Sequence, residues 1–162
     1  MKISIKSALV GLVLLAAPAC AQPAPPLPEA PKLVLVRVER FAVLADLSTV
    51  TPDGDGVRMR SFQVAPEGFR AADNAYWGGW SWWRFDCAAR TADRLDFVSV
   101  REGGAEGPAT PDAAPAAAVG ASGDAAALLT VACDPASVGE ADADSLEEAV
   151  RVGRTALTAR RR

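Results

Sequence analysis

Two of the three cysteines in this chain, Cys87 and Cys133, constrain its fold more than any other feature. The third, Cys20, closes a leader of export type. "MKISIKSALVGLVLLAAPACA" has two lysines, an apolar run from Ala8 to Ala17 and a small-residue end at Ala19-Cys20-Ala21. That is the three-part pattern of a secretory signal, and its apolar run is too short for a transmembrane helix. Residues 1–21 are read as a signal peptide, and the protein as exported to the periplasm, the cell surface or the medium. Cleavage after Ala21 discards Cys20. Cleavage before Cys20 would leave a cysteine able to carry a lipid, the one route to a membrane anchor, but the leucine usual three residues upstream is absent. In an oxidising compartment the remaining pair tends to become a disulfide. Such a bond would close a loop of about 47 residues, worth about 4 kcal/mol in the chain-entropy model. Two separate buried thiols are the alternative. Zinc fits less well, because the chain has no histidine and a lone cysteine pair is half a site.

The charge balance excludes one class of partner. The whole chain carries 17 basic and 20 acidic residues. Without Lys2 and Lys6 there are 15 against 20, a net of −5, which argues against a nucleic-acid binder. The absence of histidine removes the usual triad base, and no serine of the folded part sits in a G-x-S-x-G setting. A carboxylate hydrolase remains conceivable, but Asp and Glu are scattered with no spacing that forces two together. Asp53-Gly54-Asp55-Gly56 resembles the start of a calcium loop, yet Arg58 stands where the sixth-position glycine belongs, so it reads as a turn. Gly78-Gly79 and Gly103-Gly104 lack the strand-loop-helix setting of a phosphate cradle. No enzyme, cofactor or metal is expected.

The chain divides by composition. "QPAPPLPEAP", residues 22–31, is a proline-rich spacer favouring extended polyproline conformations. One β-rich domain is expected over 32–160. "KLVLVRVERFAVLAD" reads as a strand, or two joined near Glu39 and Arg40. "TPDGDG" marks a turn into "VRMRSFQV", where Phe62 and Val64 fall on the arginine side of the alternation, so a bulge or burial on both faces is expected. The segment 65–79 looks irregular. Trp80 to Cys87 and Asp93 to Glu102 read as antiparallel partners joined by "AARTA". Residues 103–126, almost wholly small or polar, read as a mobile loop. "ALLTVAC" reads as a last strand. A C-terminal helix follows, with Asp144 as N-cap, Glu147 three residues on, and an apolar stripe of Leu146, Ala149 or Val150, Gly153 and Leu157. Arg160 to Arg162 suit the negative end of that helix or form a solvated tail.

"YWGGWSWWRFDC", Tyr76 to Cys87, holds all four tryptophans and the only tyrosine. Strand alternation puts Trp80, Trp82, Arg84 and Asp86 on one face and Ser81, Trp83, Phe85 and Cys87 on the other. The second set reads as core, ending on a buried cysteine. The first set offers two readings. Either the C-terminal helix covers it, or Trp80, Trp82 and Arg84 form an exposed stacking platform for sugar rings or peptide chains.

"FAVLADLSTVTPDGDGVRM", followed by "WRFDCAARTADRLDF" and then "LLTVAC", resembles the surface-adhesin protein E family of small exported bacterial proteins, over Leu33 to Cys133. Asp86, Cys87, Arg90 and Cys133 match that pattern, whereas the alanine-rich loop and the tryptophan cluster depart from it. The resemblance implies an antiparallel sheet with a C-terminal helix, a Cys87–Cys133 disulfide and binding rather than catalysis; the founding adhesins attach to host extracellular proteins. The expected fold is α+β, mostly an antiparallel sheet of about five or six strands with a C-terminal helix and one disulfide. The expected function is a non-catalytic cell-envelope or secreted binding protein, adhesin-like, whose partner is a cell-envelope polymer or an extracellular protein. A structural envelope protein without a small ligand is the alternative.

Overall fold

Among the described residues nine strands, all paired antiparallel, make a sheet flanked by a helix on each face. The computed structural model describes residues 30–162. The signal peptide 1–21, Cys20 and residues 22–29 of the spacer lie outside the described residues.

The hydrophobic run after Lys32 forms a hairpin, β1 (Leu33–Val38) and β2 (Ala42–Asp53), reversing at Glu39 and Arg40. Gly54 and Asp55 make the next reversal into β3 (Gly56–Val64), with Gly54 at φ +63°. A positive φ suits glycine in a two-residue hairpin loop. β3 is buried on both faces, as its sequence requires, with Met59 on one side and Phe62 and Val64 on the other. After a two-residue β4 (Arg70–Ala71), β5 (Asn74–Asp86) pairs with β3 from Val57↔Phe85 to Val64↔Gly78. β5 therefore begins inside the stretch expected to be irregular. The expected Asp93–Glu102 strand is present but divides at Leu95. β6 (Thr91–Arg94) pairs with the second half of β5 and β7 (Asp96–Arg101) with the first half.

Two expectations are corrected. The stretch 103–126 contains β8 (Glu106–Pro111) on β7 and β9 (Ala117–Ala118) on β6. Ladder bonds are made by backbone groups, so a strand with few large side chains can dock on a neighbour that already belongs to a core. "ALLTVAC" is not a strand. It ends α1 (Asp124–Cys133), whose buried residues Leu128, Leu129, Val131 and Ala132 follow helical spacing, behind the good helix formers Ala125 to Ala127.

α2 (Leu146–Arg160) buries the expected stripe of Ala149, Val150, Gly153 and Leu157. Its cap falls one residue later than expected. Ser145 Oγ accepts from the Glu148 amide at 3.3 Å, and the Glu148 carboxylate reaches back past the cap to accept from the Asp144 amide at 3.5 Å, a variant of the capping box shifted by one residue. Arg160 is held in the helix by Glu39 at 2.7 Å and by the Val38 carbonyl.

Each helix completes its own core. Against α2 lie Leu33, Ala42, Leu44, Phe62, Val64, Trp80 and Val100. Against α1 lie Val43, Ala45, Met59, Phe85 and Ala92. Cys87 and Cys133 are bonded, tying the end of α1 to the turn after β5. Both half-cystines are exposed, so Cys87 is not the buried end of its face; that face ends its burial at Phe85. Among the described residues no helix is long and apolar enough to cross a membrane.

The first half of the exposed edge of β1 is covered. Leu33 exchanges backbone bonds with Ala143 and Asp142, and the Asp142 carboxylate accepts from the Leu35 amide at 2.8 Å. Backbone groups paired in this way are not free to template pairing with a second chain.

Candidate functional site

The tryptophans read as either covered by the C-terminal helix or exposed as a platform are mostly engaged within the protein. Trp80 is 5% exposed, inside the core beneath α2, with its ring centroid 4.6 Å from that of Phe62. Its other neighbour is Arg60, whose guanidinium lies 4.1 Å from the indole centroid. Burial pulls the Arg60 pKa below its ordinary value, while Glu106, at 3.4 Å, and Asp46 draw it back up. One rung further out, Arg58 stacks over half-buried Trp82 at 4.6 Å. Arg84 is taken up by Asp55 at 2.5 Å and Asp53 at 3.7 Å, the carboxylates of the β2–β3 turn. The outcome is an internal ladder of rings and guanidiniums across β3 and β5, in which cation–π contacts stand in for ligand contacts. Of Trp80, Trp82 and Arg84, only Trp82 presents ring surface near solvent.

The aromatic side chains that do face open space lie on the opposite face of the sheet, beyond the reach of α1. Phe41, Phe69, Tyr76 and Phe97 surround a cavity of about 300 Å³, with Gln63 and Ser99 as its neutral polar groups and Gly78 and Gly79 in its floor. Phe41 and Phe69 meet edge to face at 5.7 Å. Each of the two glycines is required for its own reason. At Gly78, φ is +155° and a Cβ would stand 1.9 Å from the Gln63 carbonyl oxygen of β3. The β5–β7 register shifts here, between Tyr76 and Gly78. This bulge turns Trp77 to the α2 side together with Trp80 and leaves Tyr76 and Gly79 on the cavity side. At Gly79 a Cβ would lie 2.3 Å from the Phe97 ring, so the bare backbone lets that ring lie flat across the floor.

Among the described residues no carboxylate, arginine or cysteine lines the cavity. Arg40 stands at its rim, 5.4 Å from the Phe41 centroid. Gln63 also borders a smaller space of about 80 Å³ under the first turn of α1, with Ser61, Ser81, Trp83 and Asp124. There the Trp83 indole donates to Ser61 Oγ at 2.9 Å. Among the described residues no group of three or more His, Cys, Asp or Glu is arranged to hold a metal.

Sequence reading missed this cavity because it is assembled from separate segments of 41–99, and no periodicity links Phe41, Phe69, Tyr76 and Phe97. One signal was available, since a glycine pair inside an aromatic strand marks a bulge or a close approach.

No protein family, characterised protein or solved structure matches this chain.

Proposed function

We propose that this protein is an exported, non-catalytic binding protein of the cell envelope or its surroundings, and that the aromatic cavity beside α1 is its ligand site. The cavity carries the reading. It combines four rings, a bare-backbone floor and a few neutral hydrogen-bonding groups, the composition of a site that holds a ligand by shape and apolar contact. Among the described residues its lining supplies no carboxylate or thiol for acid–base or nucleophilic work, which favours binding over turnover. The leader sequence and the bonded cysteine pair support an oxidising, extracytoplasmic setting. An adhesin-like role, with an envelope polymer or an extracellular protein as partner, belongs to this reading through the resemblance in Asp86, Cys87, Arg90 and Cys133.

Phenyl-bearing neutral fragments followed by amide chemical shifts test it. Shifts should concentrate at Tyr76, Gly78, Gly79 and Ser99 and vanish in Ala71→Trp, which plugs the rim from an exposed position and leaves the core alone. Shifts that gather at Trp82 and Arg84 instead, or no shift at millimolar fragment, would overturn the assignment.

A further inference from the structure

We infer that the cavity receives the proline-rich segment Gln22 to Pro31 of a second copy of this chain. The inference rests on the ligand-site reading above and names the ligand.

Complementarity is the first argument. "QPAPPLPEAP" has five prolines in ten residues. Each proline offers a compact apolar ring and a carbonyl acceptor and lacks an N–H donor. The cavity offers rings as walls and three neutral side chains able to donate, Tyr76, Ser99 and Gln63. Aromatic-lined grooves take polyproline segments in this way, at low ordering cost because the peptide is already extended. A sugar ring fits less well. It presents several hydroxyls that each need a partner, and a mostly aromatic lining would leave them unpaired.

Charge is the second argument. Glu29 is the one ionised side chain of the segment. Arg40 stands over Phe41 at the rim, exposed, with no carboxylate partner among the described residues. The other charges of the β1–β2 reversal are already paired, Glu39 with both Arg37 and Arg160.

Reach decides whose segment it is. The spacer enters β1 at Leu33, while Phe41 follows the far end of that strand. Returning along the six residues of β1 takes about 20 Å, before crossing β1 and β2 at about 5 Å each. Eight residues span about 25 Å at most, even as polyproline. Folding back on its own domain, a span of that length would stop short of the cavity, which lies about 30 Å away along this path. A second copy has no such limit.

The test uses the intact exported chain and a synthetic peptide of residues 22–31. Sedimentation of the chain from micromolar to millimolar concentration should show reversible self-association, reversed by added peptide. The peptide should shift the Tyr76, Gly78, Gly79 and Ser99 amides, and an all-alanine replacement of its prolines should not. Arg40→Glu should weaken peptide binding about fivefold, the scale of an exposed ion pair, and a peptide carrying Glu29→Arg should recover it. If phenyl fragments shift these amides and the peptide does not, the inference is overturned while the cavity remains a ligand site. If neither does, both readings fall. If the peptide binds but the chain stays monomeric at millimolar concentration, the second copy is overturned as the occupant.

Discussion

The two faces of the sheet use the same strands and end differently. Under α2 the apolar surface is closed, and under α1 it runs out into an open cavity. Helix length accounts for much of the contrast. α2 has 15 residues and spans about 22 Å, whereas α1 has 10 and spans about 15 Å. β5 has 13 residues and extends about 43 Å, so α1 covers less than half of it. Fit accounts for the rest. Gly153 lets α2 seat directly on Val64, where a Cβ would stand 2.8 Å from the valine side chain. On the other face the disulfide fixes the far end of α1 to the β5–β6 turn, which holds the helix over Phe85 and Met59 and away from Phe97. A closed face contributes stability; an incompletely covered face leaves apolar area for a partner.

The largest expected effect tests this contrast directly. Phe62 is fully buried under α2, and Phe62→Ala should cost about 3–5 kcal/mol in urea unfolding. Phe97, half-buried at the cavity, should cost less than about half of that, because its ring already borders open space. Equal losses would mean that the cavity is closed in solution and that the comparison fails.

Removing the disulfide comes next. Cys87→Ser with Cys133→Ser should lower stability by about 2–4 kcal/mol. Amide exchange should accelerate in α1 well before it does in α2, because only α1 is tethered. Uniform acceleration across both helices would remove the claim that the tie serves one face.

A neighbouring pair of glycines sharpens the picture within the cavity floor. Gly78→Ala meets the backbone of β3 at a conformation few side chains adopt, so it should cost about 1–3 kcal/mol and disturb the β3–β5 pairing. Gly79→Ala meets only the Phe97 ring, which can swing outward, so it should cost less and shrink the cavity. Thermal unfolding of the two variants would separate a backbone requirement from a packing one.

What could be read in advance follows from the range of each signal. The β2–β3 hairpin was legible because "TPDGDG" acts locally, and the α2 stripe because 3.6-residue spacing survives any tertiary context. "ALLTVAC" was not, since a short apolar run looks alike in a strand and in a buried helix, and the deciding alanines lay in a stretch read as loop. The Trp80 and Trp82 face could be assigned by alternation, but Arg58 and Arg60, which cover its rings, sit on another strand. The bulge at Gly78 breaks the two-residue period, so counting outward from Trp80 places Trp77 on the wrong side. The cavity lies beyond all of these, because it exists only once five segments meet.

The smallest effect concerns acid, and it also separates the faces. Asp112 accepts from the Ala114 amide at 3.0 Å and from Arg94 at 2.8 Å, and the two together, the amide first, hold its carboxyl below the usual carboxylate range. A carboxyl with a lowered folded pKa stabilises the native state at pH values above its unfolded pKa, and that contribution is lost as the pH falls through the folded value. Arg94 borders the small space under α1, so this pairing belongs to the open side of the sheet. On the closed side the comparable charge is Arg60, a guanidinium that stays protonated across the whole acid range despite its lowered pKa. Asp112→Asn should therefore flatten the acid limb of a stability-against-pH curve slightly and leave the neutral plateau almost unchanged, since the exposed pair is screened by solvent. In amide exchange at mildly acidic pH, loosening should begin at β8 and β9, which Asp112 and Arg94 flank, while α2 keeps its protection. Loosening that starts at α2 instead would assign the acid sensitivity to the closed face.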